Sequence, residues 1–298
     1  MFDETRMRVF VAIAREGSLT AAAAALQYAQ PSVSHQLARL EAEVGVPLVQ
    51  RAGRGIRLTE AGRLLAERAA EILGRIDAAR TELAAHAGLR AGVVRLAAFP
   101  SALATLVPAA TAAFAAEHPQ VGLALTETEP PEALAALRRG EVDIALSFHH
   151  GELPPREPAL HQIALLRDPI CLITRNGEPT DLAALRERRW IAGCPRCRVE
   201  LLDTCRAAGF SPEIAFETDD YVAVQSLVAA GLGVSTLPEL ALRAHRHPEV
   251  RAERLPGRDR WIEAVTYGAP PAPAPVAAFL RVLIEVAGRS PAGAGPAR

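Results

Sequence analysis

Ser18-Leu-Thr-Ala-Ala-Ala-Ala-Ala-Leu26, Gln27-Tyr-Ala-Gln-Pro31 and Ser32-Val-Ser-His-Gln-Leu-Ala-Arg-Leu-Glu41 follow one another without a gap near the start of the chain. The stretch predicts two helices joined by a short turn. The first is almost wholly alanine, which lets another helix approach closely. The second opens around Gln30-Pro31, with proline where a first helical turn tolerates it. Val33, Leu37, Leu40 and Val44 recur at helical spacing and form one buried stripe. The opposite face carries Gln30, Pro31, Ser32, Ser34, His35, Ala38 and Arg39, which are small or hydrogen-bonding groups without a carboxylate. Such a face suits a helix lying in the major groove of DNA, where side chains reach base edges. An ordinary helical hairpin with a polar outer face would also satisfy this stretch taken alone.

The flanks favour the first reading. Met7, Phe10, Val11 and Ala14 form a further helical stripe, so three helices can share one small core. Downstream, Gly45-Val-Pro-Leu-Val-Gln-Arg-Ala-Gly-Arg-Gly-Ile-Arg-Leu-Thr-Glu-Ala-Gly62 reads as two short strands around an Arg-Gly turn. Arg51, Arg54 and Arg57 on that hairpin make a basic wing able to follow phosphates or enter the minor groove. The order and wording resemble the amino-terminal domain of LysR-type transcriptional regulators. Phe10-Val-Ala-Ile-Ala-Arg-Glu-Gly-Ser18, Gln30-Pro-Ser-Val-Ser-His-Gln-Leu-Ala-Arg-Leu-Glu41, Gly45-Val-Pro-Leu-Val49 and Leu58-Thr-Glu-Ala-Gly62 carry the resemblance.

At 298 residues the chain exceeds one average domain. Half the residues are hydrophobic, enough for a substantial core, and the net charge of −1 offers no global basic field, so any nucleic-acid surface must be local. Every basic residue is arginine, which with the abundant alanine points to a GC-rich coding genome. No apolar run approaches the ~20 residues that cross a bilayer. The opening Met-Phe-Asp-Glu-Thr-Arg lacks the basic and apolar regions of a secretory signal. A cytoplasmic protein without membrane contact is therefore expected, its four cysteines reduced.

Thr59 is a reasonable N-cap for a long helix running to Gly88. Leu65, Ala69, Ile72, Ile76, Ala79 and Leu83 repeat with alternating spacings of four and three, a heptad seam. Either the same helix of a second subunit covers it, or the chain's own second domain does. In the LysR family this linker helix is the dimerisation element, and two recognition helices on a two-fold axis would read an inverted repeat in double-stranded DNA. The family commonly forms homotetramers, and RNA polymerase would be a partner of an activator.

From Ala91 strands and helices alternate: strands at Val93–Phe99, Val121–Thr126, Val142–Phe148, Pro169–Thr174 and Gly233–Leu237, and helices at Ser101–Ala116, Pro131–Arg139, Arg198–Ala208, Tyr221–Ala230 and Val276–Ala287. Alternation argues for parallel sheets with helices on both faces. The chain would cross between two halves near Leu165 and again between Trp261 and Gly268. The expected fold is α/β: an N-terminal winged helix-turn-helix (1–58), a long dimerisation linker helix (59–88) and a two-lobed effector domain (91–290) resembling periplasmic binding proteins. Its first lobe would comprise 91–164 with 268–290, its second 165–267, and 291–298 would be a disordered tail.

Ligands of open α/β sheets sit beyond the carboxyl ends of strands, near helix amino termini. That rule selects Pro100 and Ser101, Thr128 with Glu129, then Ser147, Phe148, His149 and His150. In the second half it selects Cys194, Arg196 and Cys197, then Thr218 and Asp219. The resemblance implies a small-molecule inducer between these loops, although each residue alone could equally be a structural cap. Cys194-Pro-Arg-Cys197 with Cys205 departs from the small polar pair common in this loop. Thiols at a helix start beside Arg196 and Arg198 gain reactivity. The three could form a redox switch, bind a soft metal, or simply line the pocket and core. No nucleophile elbow, P-loop or dinucleotide fingerprint occurs, so no enzyme, cofactor or catalytic set is expected. A transport-type solute-binding protein would share the cleft but not the opening domain.

Overall fold

The computed structural model describes residues 3–52, 55–86, 92–151, 157 and 159–289. They fall into two units, one of residues up to 92 with 135–142, the other of 93–134 with 143 onward.

In the first unit, helices α1 (Glu4–Glu16), α2 (Leu19–Leu26) and α3 (Gln30–Val44) precede a hairpin of β1 (Val49–Ala52) and β2 (Gly55–Leu58), then α4 (Glu60–His86). Asp3 and Ser18 cap α1 and α2 through their side chains. Gln27, at φ 57, takes the left-handed turn that redirects the chain into α3. Val9, Phe10, Ile13, Ala22, Ala23, Val33, Leu37, Leu40 and Leu48 form one core; the α3 stripe enters it, but of the expected α1 stripe only Phe10 does, Met7 and Val11 packing with Ala69 and Leu73 instead. The Leu58-Thr-Glu-Ala-Gly62 wording now has a physical reason. Thr59 Oγ1 donates to Pro47 O at 2.8 Å and accepts the Gly62 N–H at 3.0 Å. A Cβ on Gly62 would lie 2.0 Å from Leu48 O, so only glycine lets α4 start this close to the hairpin.

The linker-helix seam divides. Ala69 and Leu73 are buried against Met7 of α1, and Leu65 packs on the small core. Ile72 stays 44% exposed and Leu83 70% exposed. Part of the seam thus belongs to its own unit, and the remainder is open.

The second unit holds one eight-stranded sheet. Its strands are β3 (Val93–Ala98), β4 (Gly122–Glu127), β5 (Ile144–His150), β6 (Leu160–Arg175), β7 (Arg189–Ala192), β8 (Glu213–Glu217), β9 (Val234–Pro238) and β10 (Val250–Tyr267). The order β4-β3-β5-β10-β6-β9-β7-β8 places two parallel triplets on either side of the long pair β6 and β10. Purely parallel sheets are therefore corrected to a mixed sheet: β10 runs antiparallel to β5 and β6, and β6 antiparallel to β9. These two strands are the expected double crossing between the lobes. Helices α5 (Pro100–Leu103), α6 (Leu106–Glu117), α7 (Pro130–Arg138), α8 (Pro195–Ala207), α9 (Tyr221–Ala229), α10 (Glu239–Ala244) and α11 (Ala274–Gly288) cover it.

Two further expectations change. The single helix over 101–116 is two, because Pro108 has no N–H to bond one turn back and is tolerated only in a first turn. The chain accordingly restarts at Leu106, and Thr105 Oγ1 donates to Ser101 O at 2.6 Å. The third strand runs on to His150, so His149 and His150 join Ser147 and Phe148 in β5 rather than forming a loop after it.

Candidate functional site

On α3, Val33, Leu37 and Leu40 are buried while Gln30, Pro31, Ser32, His35 and Arg39 are exposed and Ser34 half-buried. Glu41, the first acid after this face, is turned inward, where Oε1 accepts the Leu48 N–H at 2.7 Å and the Val49 N–H at 3.2 Å. Its charge is thus fixed against the start of β1. Arg57 is exposed on β2. The hairpin is tied back by Ile56 N–H donating to Gly17 O at 3.3 Å. Arg54 and the Arg51 side chain lie outside the described residues.

In the second unit each parallel triplet starts with its central strand, β3 or β7, and then places one strand on either side. The loops leaving β3 and β7 are thus topological switch points, where such sheets bind ligands. The loop after β3 gives Phe99, Pro100 and Ser101; the loop after β7 gives Gly193, Cys194 and Cys197. Together with Glu129, Phe148, Asp219 and Arg260 they line a cleft with room of about 60 Å³.

Arg260 is its floor, only 3% exposed. Nε donates to Asp168 Oδ2 at 2.8 Å and Nη2 to Ser101 Oγ at 2.7 Å. The guanidinium lies 5.0 Å from the Phe99 ring centre and 4.7 Å from that of Phe148. Asp168 Oδ1 also accepts the Leu240 N–H at 2.9 Å. Burial, then the nearby Asp219 charge, raises the Glu129 carboxyl above its usual range. Arg196 stacks 4.9 Å over the outer face of Phe148 and donates to the Phe148 carbonyl.

Cys194 is the N-cap of α8, and its sulfur accepts the Cys197 N–H at 3.4 Å. The two sulfurs are 3.1 Å apart. Hydrogen bonding from Cys197 holds the Cys194 thiol below its ordinary value, and the same contact with burial raises that of Cys197. Cys205 is elsewhere, packed with Trp190 and Leu201, where burial pushes its thiol up to about 11. The trio imagined from sequence is therefore a pair. Among the described residues no group of three or more His, Cys, Asp or Glu could hold a metal ion.

Comparison with known proteins is decisive for the family. Residues 5–63 match the bacterial regulatory helix-turn-helix protein, lysR family, and residues 87–288 match the LysR substrate binding domain. The chain belongs to the LysR family. It is a DNA-binding transcriptional regulator with an effector-binding domain. The probable HTH-type transcriptional regulator LrrA of Synechococcus elongatus is 31% identical, over 95% of this chain and 97% of that protein. The HTH-type transcriptional regulator TdfR of Cupriavidus pinatubonensis is 32% identical over 88% and 91%. Full-length CbnR complexed with its target DNA has a TM-score of 0.66 at 25% identity, covering 96% of this chain and 100% of that one.

In this LysR-type chain the cleft gathers Pro100, Ser101, Phe148, Cys194, Cys197, Thr218 and Asp219 from the expected set. Thr128 and Arg196 line an adjoining hollow with Glu129 and Cys194 instead. Ser147 and His149 are buried within β5 on the strand face opposite Phe148, outside both hollows. Sequence reasoning missed Arg260 and Asp168. Their only local signal is a charge inside an apolar strand, as in Leu165-Leu-Arg-Asp-Pro-Ile-Cys171.

Proposed function

We propose that this LysR-type regulator binds an inverted-repeat operator as a homodimer or homotetramer, and that a small ligand between the lobes sets its output. Gln30, Pro31, Ser32, Ser34, His35 and Arg39 read the major groove, and Arg51 and Arg54 follow the backbone from the wing. The observation that supports this best is the segregation of α3, apolar inward and carboxylate-free outward, with Glu41 withdrawn into a capping role. Operator binding in the cytoplasm, and contact with RNA polymerase where the output is activation, follow from the same reading.

The effector lies in this cleft. Pro100, Ser101, Phe148, Cys194, Cys197, Thr218 and Asp219 contact it directly, with Arg260 and Glu129 as its charged partners. Thr128, Arg196, Ser147 and His149 act at one remove through the strands and loops that carry these groups.

Titrating the purified chain against the intergenic DNA beside its own gene, by fluorescence anisotropy at two salt concentrations, tests the reading. Saturable binding that survives excess unrelated DNA is expected. Its absence at that site and across a genomic fragment library would sink it.

A further inference from the structure

Cys194 and Cys197 are not explained by a cleft that simply holds a ligand. They stand one helical turn apart at the start of a 13-residue helix, with sulfurs 3.1 Å apart. That is closer than two thiols rest by packing, yet a disulfide needs only about 1 Å less. Cys194 also forms part of the wall between two hollows. One side belongs to the cleft; the other opens on Thr128, Glu132, Pro195 and Arg196. Cys194 is itself only 6% exposed, so a reagent reaches its sulfur as this wall opens.

We propose, on the reading of the cleft given above, that Cys194 and Cys197 form a reversible dithiol–disulfide couple in its wall, oxidised by small-molecule disulfides. The Cys194 thiolate attacks one sulfur of the disulfide RSSR, forming a mixed disulfide and expelling RS⁻. The Cys197 thiol, already in contact, attacks the Cys194 sulfur and expels the second RS⁻, and its proton passes to a departing thiolate. Two protein thiols are oxidised and RSSR is reduced to two RSH. Two features favour Cys194 as the attacking group: the helix N–H donated to it and the Cys197 contact that holds its thiol low. Cys171 and Cys205 line neither hollow, and burial raises their thiols to about 12 and about 11, so they stay out of the exchange. Closing the bond removes two thiols from the wall beside Glu129 and Arg260 and so changes the groups a ligand meets.

The full chain, reduced and then exposed to oxidised glutathione, supplies the test. Thiol titration should fall from four to two, and a peptide cut outside 194–197 should be lighter by two hydrogen masses, reversibly with dithiothreitol. Cys197→Ser should retain one glutathione on Cys194, whereas Cys194→Ser should retain none on Cys197. Four remaining thiols, or an adduct on Cys197, Cys171 or Cys205 first, would overturn the proposal, and the unsubstituted chain decides even where a variant folds poorly. Operator binding by the reduced chain is measured alongside. Loss there condemns the regulator reading, while intact operator binding with unpaired thiols condemns only the couple.

Discussion

Arg260 and Asp168 face each other across the two long antiparallel strands, 92 residues apart in sequence, joined at 2.8 Å and sealed from water. The pair ties β6 and β10 together at the point where both leave one lobe for the other, and through Ser101 it reaches the start of α5.

Breaking that pair leaves an uncompensated buried cation. Asp168→Ala should lower unfolding stability by about 3–5 kcal/mol, read as a shift in the urea midpoint. The double variant Asp168→Leu with Arg260→Met should recover most of the loss. A double variant no more stable than the single one would show that the pair is not the cause.

Gly62→Ala places a methyl 2.0 Å from the Leu48 carbonyl oxygen, which is backbone and cannot turn away. Overpacking of this kind typically costs about 1–3 kcal/mol. Earlier proteolysis within residues 45–62 and weaker DNA binding are expected, with the second unit unaffected. Wild-type resistance in the variant would refute the close approach.

For DNA reading, His35→Ala should relax preference at particular base pairs by about 1–3 kcal/mol while leaving nonspecific binding in place. Arg39→Ala should likewise relax base preference, whereas Arg54→Ala should weaken binding to every sequence and reduce the salt slope by about one. Identical behaviour of all three variants across a panel of operator mutants would contradict the division of roles.

Burial, followed by the charges of Arg260 and Arg196, lowers the His150 imidazole from 6.5 to about 4. Glu200 lies 3.9 Å away but is engaged by Arg258 at 3.2 Å. The unfolded chain takes up a proton near pH 6.5 that the folded chain refuses until about pH 4. Stability is therefore complete above the first value and lost as pH falls toward the second, by up to about 3 kcal/mol. Urea midpoints measured across that window should slope less steeply for His150→Phe. Parallel slopes would remove His150 as the cause.

Ile72 and Leu83, left open on α4, should hold the subunits together. Ile72→Glu with Leu83→Glu is expected to shift the chain toward monomer in sedimentation velocity and to weaken operator binding. An unchanged sedimentation coefficient would place the subunit contact elsewhere.

The first unit was legible because its determinants are local. Helix stripes, Pro31, Thr59 and Gly62 act within a turn or two of themselves. The second unit was legible as an alternation but not in its pairing. Strand direction depends on which partner a strand meets, and the sequence pattern shows only Pro169–Thr174 of β6 and no strand for β10, which carries Pro256 and Gly257 in its middle. The break between α5 and α6 was not read, although Pro108 is its local signal. The apolar run that ends at Phe148 hid the continuation of β5, because His149 is polar and yet buried. The cleft loops emerged from a general rule about strand ends, whereas Arg260 and Asp168 meet only through tertiary pairing. Cys205 looked like a companion of the other two thiols by spacing, but two turns of α8 carry it into the core.

Because α4 shields Met7 with Ala69 and Leu73, and Arg8 and Arg80 on it and α1 bridge to Asp77 and Glu4 at 2.6 and 3.0 Å, the reader of DNA is not a detachable head. A chimera that grafts it onto another sensor should splice beyond Arg80. A graft ending at the wing would carry a bare apolar flank and arrive as an aggregate.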